Sequence, residues 1–412
     1  MKWVKYINPT DGDGQAFGTC VFGDYVAALG STGGKPYVAL LSKSDGSVVR
    51  EWKSTDSWAG WFINCVSING KLYVIGNPGI YVFDADLNIL ANIKVVDLSD
   101  YFSLAHDGKA LYVGGWVGED VNGDGEKEAV WLVEKRDPRD LSLISSKKIY
   151  VGSWKGGTIY DIDVEPFTGR IWTVGGYADS KDTEHSLIAV LDSDLEVLKV
   201  IDYPDGSEGY VGGFNGVAFD GKGYVYASGI LGIAKFSLDG ELVAVNRDVE
   251  RAPKIVYGYD HLHAFRVEYI KACLRHVLYI YDTNLSLVKK YVLSESIDAD
   301  SYFNVHGRPT LEESNIYVVS FDKALGEGNL RFVVYFLQIE STPASETMST
   351  VATTSPTVTT AATTGLMPQE TSTVATTSAT QVLPGIQLGV ALAVIGVIAA
   401  IATVAVFVPR KR

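Results

Sequence analysis

The stretch FNGVAFDGKGYVYASG, residues 214–229, followed by IAKFSLDGELV at 233–243, decides the fold. Each segment contains two runs rich in aromatic and aliphatic residues, with Asp and Gly at the turn between them. Such runs are typical of short β-strands, and Asp-Gly is a preferred hairpin turn. The stretch therefore predicts four consecutive antiparallel strands.

The same pair of hairpins recurs along the first 340 residues. The first hairpin of a unit is visible at 62–76, 102–115 and 162–176, and the second at 38–49, 81–90, 131–144, 188–198 and 278–288. Four short antiparallel strands per repeat are typical of one propeller blade. Six units are complete, whereas a seventh, at 302–339, lacks its fourth strand.

The missing strand is predicted at the other end of the chain. KWVKYI, 2–7, has no partner of its own, and pairing it with LRFVVYFLQI, 330–339, would close a ring and remove both sheet edges. The predicted fold class is all-β, a seven-bladed β-propeller over 1–340. The chain resembles the seven-bladed β-propellers, in particular repeat-rich surface propellers of prokaryotic and archaeal envelopes. That resemblance is architectural and implies no activity.

The C-terminal residues predict a membrane anchor. Residues 341–384 are rich in Thr, Ser and Pro, a composition that cannot bury a core and is typical of a glycosylated stalk. Residues 385–408 contain no charge and, as a helix, would span roughly 35 Å, enough for the roughly 30 Å hydrocarbon core of a bilayer. The basic tail 409–412 favours the cytoplasmic side, which places the propeller outside.

Two observations bear on this location without deciding it. The N-terminal stretch MKWVKYINPT lacks the apolar core of a signal peptide, so either a signal was removed or the protein is tail-anchored and faces the cytoplasm. Cys20 and Cys65 occupy matching points of successive repeats and could form a disulfide if their strands lie within disulfide range. Cys273 would then have no cysteine to pair with.

The net charge of −14 and scattered basic residues exclude a nucleic-acid surface.

A calcium site is predicted in the segment DVNGDGEKE at 120–128. Its predicted ligands are the side chains of Asp120, Asn122, Asp124 and Glu128 with the carbonyl of Glu126. Position twelve of an EF-hand would fall on Trp131, which cannot ligate, so a helix–loop–helix sensor is excluded. The loop resembles the short calcium loops of integrin-type FG-GAP propeller blades. A solvated acidic hairpin is the alternative.

Aromatic residues predict a ligand surface on the propeller face that carries this loop. Loops between the second and third strands of a blade emerge on the same face as the links between blades, and the stalk leaves from the opposite face. The aromatic residues expected on the first, membrane-distal face are Trp58, Trp61, Trp154 and Tyr210. Such rings could stack on a glycan or anchor a protein partner. The alternative is that they fill gaps between blades.

A second candidate site lies near the predicted propeller axis. The residues expected there are His261, His263, His306, Asp161 and Asp163. His261 and His263 alternate on what is predicted as the inner strand of blade six, where a metal or a general base could be built. Asp161 and Asp163 could form a carboxylate pair for hydrolysis, or these side chains could simply be packed. Arg308 could hold an anion or pair with a carboxylate.

Two hypotheses follow. The first is a non-enzymatic, membrane-anchored surface propeller for adhesion, recognition or interaction with envelope proteins, with a structural calcium ion and a glycosylation sequon at Asn284. The alternative is an anchored extracellular propeller enzyme, either a metal-dependent hydrolase or lyase or a quinoprotein-like oxidoreductase. An axial funnel that gathers the His and Asp residues would favour the enzyme.

Overall fold

The computed structural model describes residues 1–7, 13–56, 60–95, 99–151, 154–208, 213–229, 232–248, 254–270, 273–296, 308–323 and 330–339. The predicted stalk, membrane span and basic tail lie outside these residues. Within the described part of the chain there is no helix of the length and apolarity that a membrane span requires.

The described residues form twenty-eight β-strands. The first fourteen are β1 Trp3–Ile7, β2 Gly14–Phe22, β3 Tyr25–Thr32, β4 Lys35–Ser42, β5 Val48–Lys53, β6 Phe62–Ile68, β7 Lys71–Gly76, β8 Gly79–Phe83, β9 Ile89–Lys94, β10 Ser99–His106, β11 Leu111–Glu119, β12 Glu128–Arg136, β13 Leu143–Ile149 and β14 Trp154–Val164. The others are β15 Ile171–Asp179, β16 Thr183–Leu191, β17 Val197–Glu208, β18 Phe214–Phe219, β19 Tyr224–Gly229, β20 Gly232–Ser237, β21 Leu242–Asn246, β22 Ile255–Gly258, β23 His261–Ile270, β24 Cys273–Asp282, β25 Leu287–Ser296, β26 Thr310–Glu312, β27 Asn315–Lys323 and β28 Leu330–Gln338.

These strands form seven four-stranded antiparallel sheets, which confirms the seven-bladed propeller. Blades 1 to 6 each use four consecutive strands, β2–β5, β6–β9, β10–β13, β14–β17, β18–β21 and β22–β25. Blade 7 has the order β1-β28-β27-β26, so the N-terminal strand is its outer strand. The predicted ring closure is therefore confirmed.

Burial changes from strand to strand in the way a propeller requires. The third strand of blade 2, β8, is buried at all its positions, because its sheet is covered by a neighbouring blade on each face. In the outer strand β9, by contrast, no residue is buried and four of the six are exposed. Apolar residues on both faces of the middle strands therefore form the core between blades, and this explains the continuous apolar runs of the repeat.

The two faces of the ring follow from the strand order. The b–c face carries the loops between the second and third strands of each blade and the links to the next blade. The a–b face carries the turns between first and second strands and between third and fourth strands. The last strand, β28, ends at the a–b face, where Ile339 N–H donates to the carbonyl of Ser314 at 2.8 Å. The described chain leaves the propeller at this face, as the sequence predicted.

Inner strands of five blades share a β-bulge. An extra residue stands within β2, β6, β10, β14 and β18, and these residues are Phe17, Ile63, Phe102, Tyr160 and Asn215. A bulge re-aims the side chains that follow it, here at the propeller axis. Neighbouring inner strands also approach closely: a Cβ on Gly18 would stand 2.3 Å from the carbonyl oxygen of Ile63.

A disulfide joins the first two blades. Cys20 on β2 and Cys65 on β6 are bonded, with their Cα atoms 5.9 Å apart. The two inner strands therefore do lie within disulfide range, the condition that the sequence left open. The side chain of Cys273 lies outside the described residues.

Candidate functional site

The predicted calcium loop is the b–c loop of blade 3, between β11 and β12. Its acidic side chains bind the loop's own backbone. Asp120 accepts from the N–H groups of Gly123 at 2.6 Å and Gly125 at 3.0 Å. The Oδ1 atoms of Asn122 and Asp124 each accept from the N–H group two residues ahead, at 2.9 and 2.8 Å. These bonds give the segment a defined turn.

The carboxylates of this loop do not converge on one point. Glu128 accepts from the side-chain amide of Asn122 at 3.0 Å and from the backbone N–H of Val121 at 3.2 Å. Nowhere in the described ranges do three His, Cys, Asp or Glu side chains come close enough to hold a metal ion together. The loop offers the oxygen donors that calcium prefers. Calcium would nevertheless require Glu128 to turn towards Asp120 and Asp124.

Of the four aromatic residues predicted on the b–c face, two are described. Trp154 is 6% exposed, stacks on Tyr177 at 4.7 Å between ring centroids and donates from Nε1 to the carbonyl of Ala129 at 2.8 Å. It fills the gap between blades 3 and 4, the alternative weighed from the sequence. Trp61 is half-buried with its ring 6.5 Å from that of Phe17. Trp58 and Tyr210 lie outside the described residues.

The predicted position of the two alternating histidines was wrong. The inner strand of blade 6 is β22, and His261 and His263 lie on the second strand, β23, because the hairpin turn falls at Tyr259 and Asp260. His263 is fully buried, its Nε2 lies 3.1 Å from the carbonyl of Gly258, and burial lowers its pKa to about 4. His306 lies outside the described residues.

Asp161, by contrast, lies on an inner strand, β14. It is fully buried and accepts from the hydroxyl of Ser103 at 2.6 Å and from the backbone N–H of Val217 at 3.1 Å. The ammonium of Lys254 lies 3.4 Å from Oδ1. Ser103 in turn accepts from the Asn64 amide at 3.1 Å. This axial network links the inner strands of blades 2 to 5 and the residue just before β22.

Asp163 lies two residues after Asp161 on β14 and pairs with Arg308. The guanidinium Nη2 donates to its Oδ2 at 2.6 Å, and the two side chains keep 24% and 25% exposure. The carboxylate raises the pKa of Arg308 above its already high value, against the effect of burial. Arg308 therefore does pair with a carboxylate, one of the two roles that the sequence left open.

The Asp163–Arg308 pair lines a cavity on the axis. The cavity has a volume of about 540 Å³ and is lined by residues near the C-terminal ends of the inner strands of all seven blades. These ends lie at the a–b face, so the cavity is on the opposite side from the calcium loop. Its walls include His106, Thr19 and the Cys20–Cys65 disulfide. Its size is that of an ordinary small-molecule site.

Sequence reasoning missed several residues of this axial region. Lys254 stands in RAPKIVYG, where nothing distinguishes it from a surface lysine, yet it is 3% exposed. Thr19 and His106 fall within inner strands, but only the bulges decide which residues of these strands face the axis. A polar residue within an otherwise apolar inner strand, such as Asn64 or Ser103, is the signal that could have indicated the network.

The sequon residue Asn284 lies on the turn between β24 and β25. Its backbone N–H donates to Asp282 at 2.9 Å, and the residue is exposed. The position is accessible to a glycan, and glycosylation itself stays a prediction.

Comparison with known proteins extends to the fold alone. No protein-family model matches the chain, and no curated protein matches its sequence. Among solved structures, the Dos1 propeller is similar with a TM-score of 0.50 and 12% identity, over 80% of this chain and 93% of that one. Sqt1 of Saccharomyces cerevisiae gives 0.49 and 11%, over 81% and 98%. BamB of Moraxella catarrhalis gives 0.47 and 14%, over 79% and 86%.

Proposed function

We propose that this protein is a non-enzymatic surface propeller that binds a protein or glycan ligand through its b–c face. In this proposal the ring stands outside the cell on the Thr-rich stalk and is held by the span 385–408. The observation that carries the location is the disulfide between Cys20 and Cys65. Structural disulfides persist in oxidising compartments and are rare in the cytosol.

The axial charges support binding over catalysis. Each of the two carboxylates that could have formed a hydrolytic pair is engaged by its own cation, Asp161 by Lys254 and Asp163 by Arg308. The alternative, an extracellular propeller enzyme, is therefore less well supported.

Calcium belongs to the proposal as a structural ion at residues 120–128. The support is the spacing of Asp120, Asn122 and Asp124 and the position of the loop on the proposed ligand face. The ion would replace the contact between Glu128 and Asn122 and thereby fix one conformation of the loop. It would have no part in a chemical step.

Protease treatment of intact cells tests the location. Cleavage in the stalk should release a fragment that retains the closed propeller into the medium, while the basic tail stays with the membrane. Permeabilised cells provide the control for total protein. A propeller that is released only after permeabilisation would contradict the proposal.

Binding by full-length protein and paired aromatic variants tests the ligand face. Trp58→Ala combined with Trp61→Ala should reduce retention of envelope proteins or glycans on immobilised protein. The matched control is Phe167→Ala, which removes a 71% exposed ring from the turn between β14 and β15 on the a–b face. If the two variants retain the same amount of ligand, or if only Phe167→Ala loses ligand, the ligand site does not lie on the b–c face.

A further inference from the structure

The axial cavity is lined by a cation, the guanidinium of Arg308. The contacts of Arg308 to described residues engage Nη2 alone, with Asp163 at 2.6 Å and the carbonyl of Val217 at 3.4 Å. A guanidinium carries five N–H donors in a planar fork that matches a carboxylate. Asp163 thus holds the guanidinium from one side, and no described residue forms a hydrogen bond with its other N–H groups.

A buried hydroxyl that lines the same cavity also lacks a partner among the described residues. Thr19 lines the cavity and is 5% exposed, and its Oγ1 makes no hydrogen bond within the described part of the chain. A buried polar group without a partner costs about 1–3 kcal/mol, so its presence needs an explanation. Here the neighbouring Thr310 does not supply one, because its hydroxyl donates to the carbonyl of Thr19 at 2.6 Å.

A third donor comes from His106 at the end of β10. Partial burial of the ring lowers its pKa and so favours the neutral form, although the residue as a whole is exposed. Its Nδ1 accepts from the backbone N–H of Gly108 at 3.2 Å, which leaves the proton on Nε2. The cavity therefore offers one charged and two neutral donors.

The remaining walls combine apolar side chains with a few polar ones, such as Asn64, Ser67 and Thr310. Val66, Val164, Phe219 and Val256 are among the residues that line the cavity. Apolar walls with a few convergent polar groups are typical of a site for a small organic molecule. The chemistry selects a ligand with one acceptor group of negative charge and an apolar body.

We propose that this axial cavity binds a small organic carboxylate. Its carboxylate group lies against Arg308 and accepts from Thr19 and His106, and its body fills the space between the valines and Phe219. Asp163 is a positioning residue that orients the guanidinium. The site is independent of the proposed ligand face, since it opens at the a–b face.

Isothermal titration calorimetry on the full-length protein tests the proposal. The probes are benzoate and cyclohexanecarboxylate, with benzamide and cyclohexanecarboxamide as their uncharged counterparts. At least one acid should bind, and its counterpart should bind at least tenfold more weakly. If neither acid binds, or if acid and counterpart bind equally, the proposal is wrong.

Variants then locate the site. Arg308→Gln should weaken binding of the acid at least tenfold and Thr19→Val severalfold, because Val has nearly the same shape without the hydroxyl. The matched control is Arg139→Gln, an 87% exposed arginine in the turn between β12 and β13 on the same face, which should leave affinity unchanged. If Arg308→Gln unfolds the protein, Thr19→Val decides; an unchanged affinity in that variant places the ligand elsewhere and overturns the proposal.

Discussion

Trp3 on the first strand of the propeller lies opposite Phe336 on the last, and their rings meet edge to face with centroids 5.4 Å apart. The Nε1 atom of Trp3 also donates to the carbonyl of Lys43 in blade 1 at 3.2 Å. One residue thus closes blade 7 and joins it to the next blade, so the two ends of the ring depend on each other.

Removal of residues 1–7 should open the ring. Without β1, the strand β28 becomes an exposed edge, and such edges pair with other chains. We expect a loss of at least about 3 kcal/mol of unfolding free energy, the usual cost of losing a large packed aromatic side chain, together with concentration-dependent association in analytical ultracentrifugation. Tyr6→Ala, which removes a 40% exposed ring from the same strand, is the control. A truncated protein that stays monomeric with unchanged stability would contradict the role of β1.

Reduction of the disulfide should destabilise the ring without opening it. Cys20 and Cys65 are 45 residues apart, and a crosslink over that distance stabilises by roughly 4 kcal/mol in the chain-entropy account. Cys20→Ser with Cys65→Ser should therefore lower the midpoint of urea unfolding, and reductant should lower that of the wild type alone. A wild-type midpoint that does not respond to reductant would contradict a formed disulfide.

The Asp161–Lys254 pair should show strong energetic coupling. Asp161→Asn leaves a buried ammonium without its counter-charge, a change that typically costs about 3–5 kcal/mol. Adding Lys254→Met removes that charge, so the double variant should be more stable than the sum of the single effects by roughly 1–3 kcal/mol. The exposed pair Lys222–Asp260 is the control and should show little coupling. Additive effects at the axis would mean that the two charges do not interact.

His263 should make the protein sensitive to acid. Burial lowers its pKa to about 4 from 6.5, so between these pH values the unfolded chain binds a proton that the folded chain does not. Stability should therefore fall as pH drops from about 6.5 to 4, by up to about 3 kcal/mol.

This effect is measured by comparing the pH dependence of stability in the wild type and in His263→Gln. The variant should lose less stability than the wild type between pH 7 and pH 4.5 in thermal unfolding. Asp100 has the opposite effect on stability in the same pH range, because burial raises its pKa to about 6. Both proteins contain Asp100, so the difference between their curves reports on His263 alone. Parallel curves for the two proteins would show that His263 does not contribute.

Calcium should raise the melting temperature through the loop of blade 3. A ligand at a hundredfold excess over its dissociation constant stabilises the folded state by about 2.7 kcal/mol. Asp120→Asn combined with Asp124→Asn should abolish this shift, whereas magnesium, which needs a tighter octahedral site, should produce less of it. If neither calcium nor a chelator changes the melting temperature of the wild type, the loop is a solvated acidic hairpin and not a calcium site.

The sequence predicted the blades because their signal is local. Each hairpin carries its own apolar strand pattern and its own Asp or Gly turn, as at 214–229. Ring closure could also be predicted, because the seventh unit lacked a fourth strand and the N-terminal strand had no partner of its own. The residues of the candidate site were harder to predict from the sequence. A single misplaced turn at Tyr259 moved His261 and His263 off the inner strand, and the bulge at Tyr160 decides which residues of β14 face the axis. Lys254 reaches Asp161 across 93 residues, a contact that no local pattern encodes.

The closing strand pair also determines how the ring carries load. The chain leaves the propeller from β28, and this strand is hydrogen-bonded on both sides, to β1 and to β27. Tension applied beyond residue 339 would run along β28 and shear two rows of hydrogen bonds at once, rather than peel an edge strand away bond by bond. A propeller pulled from this end would therefore resist mechanical unfolding.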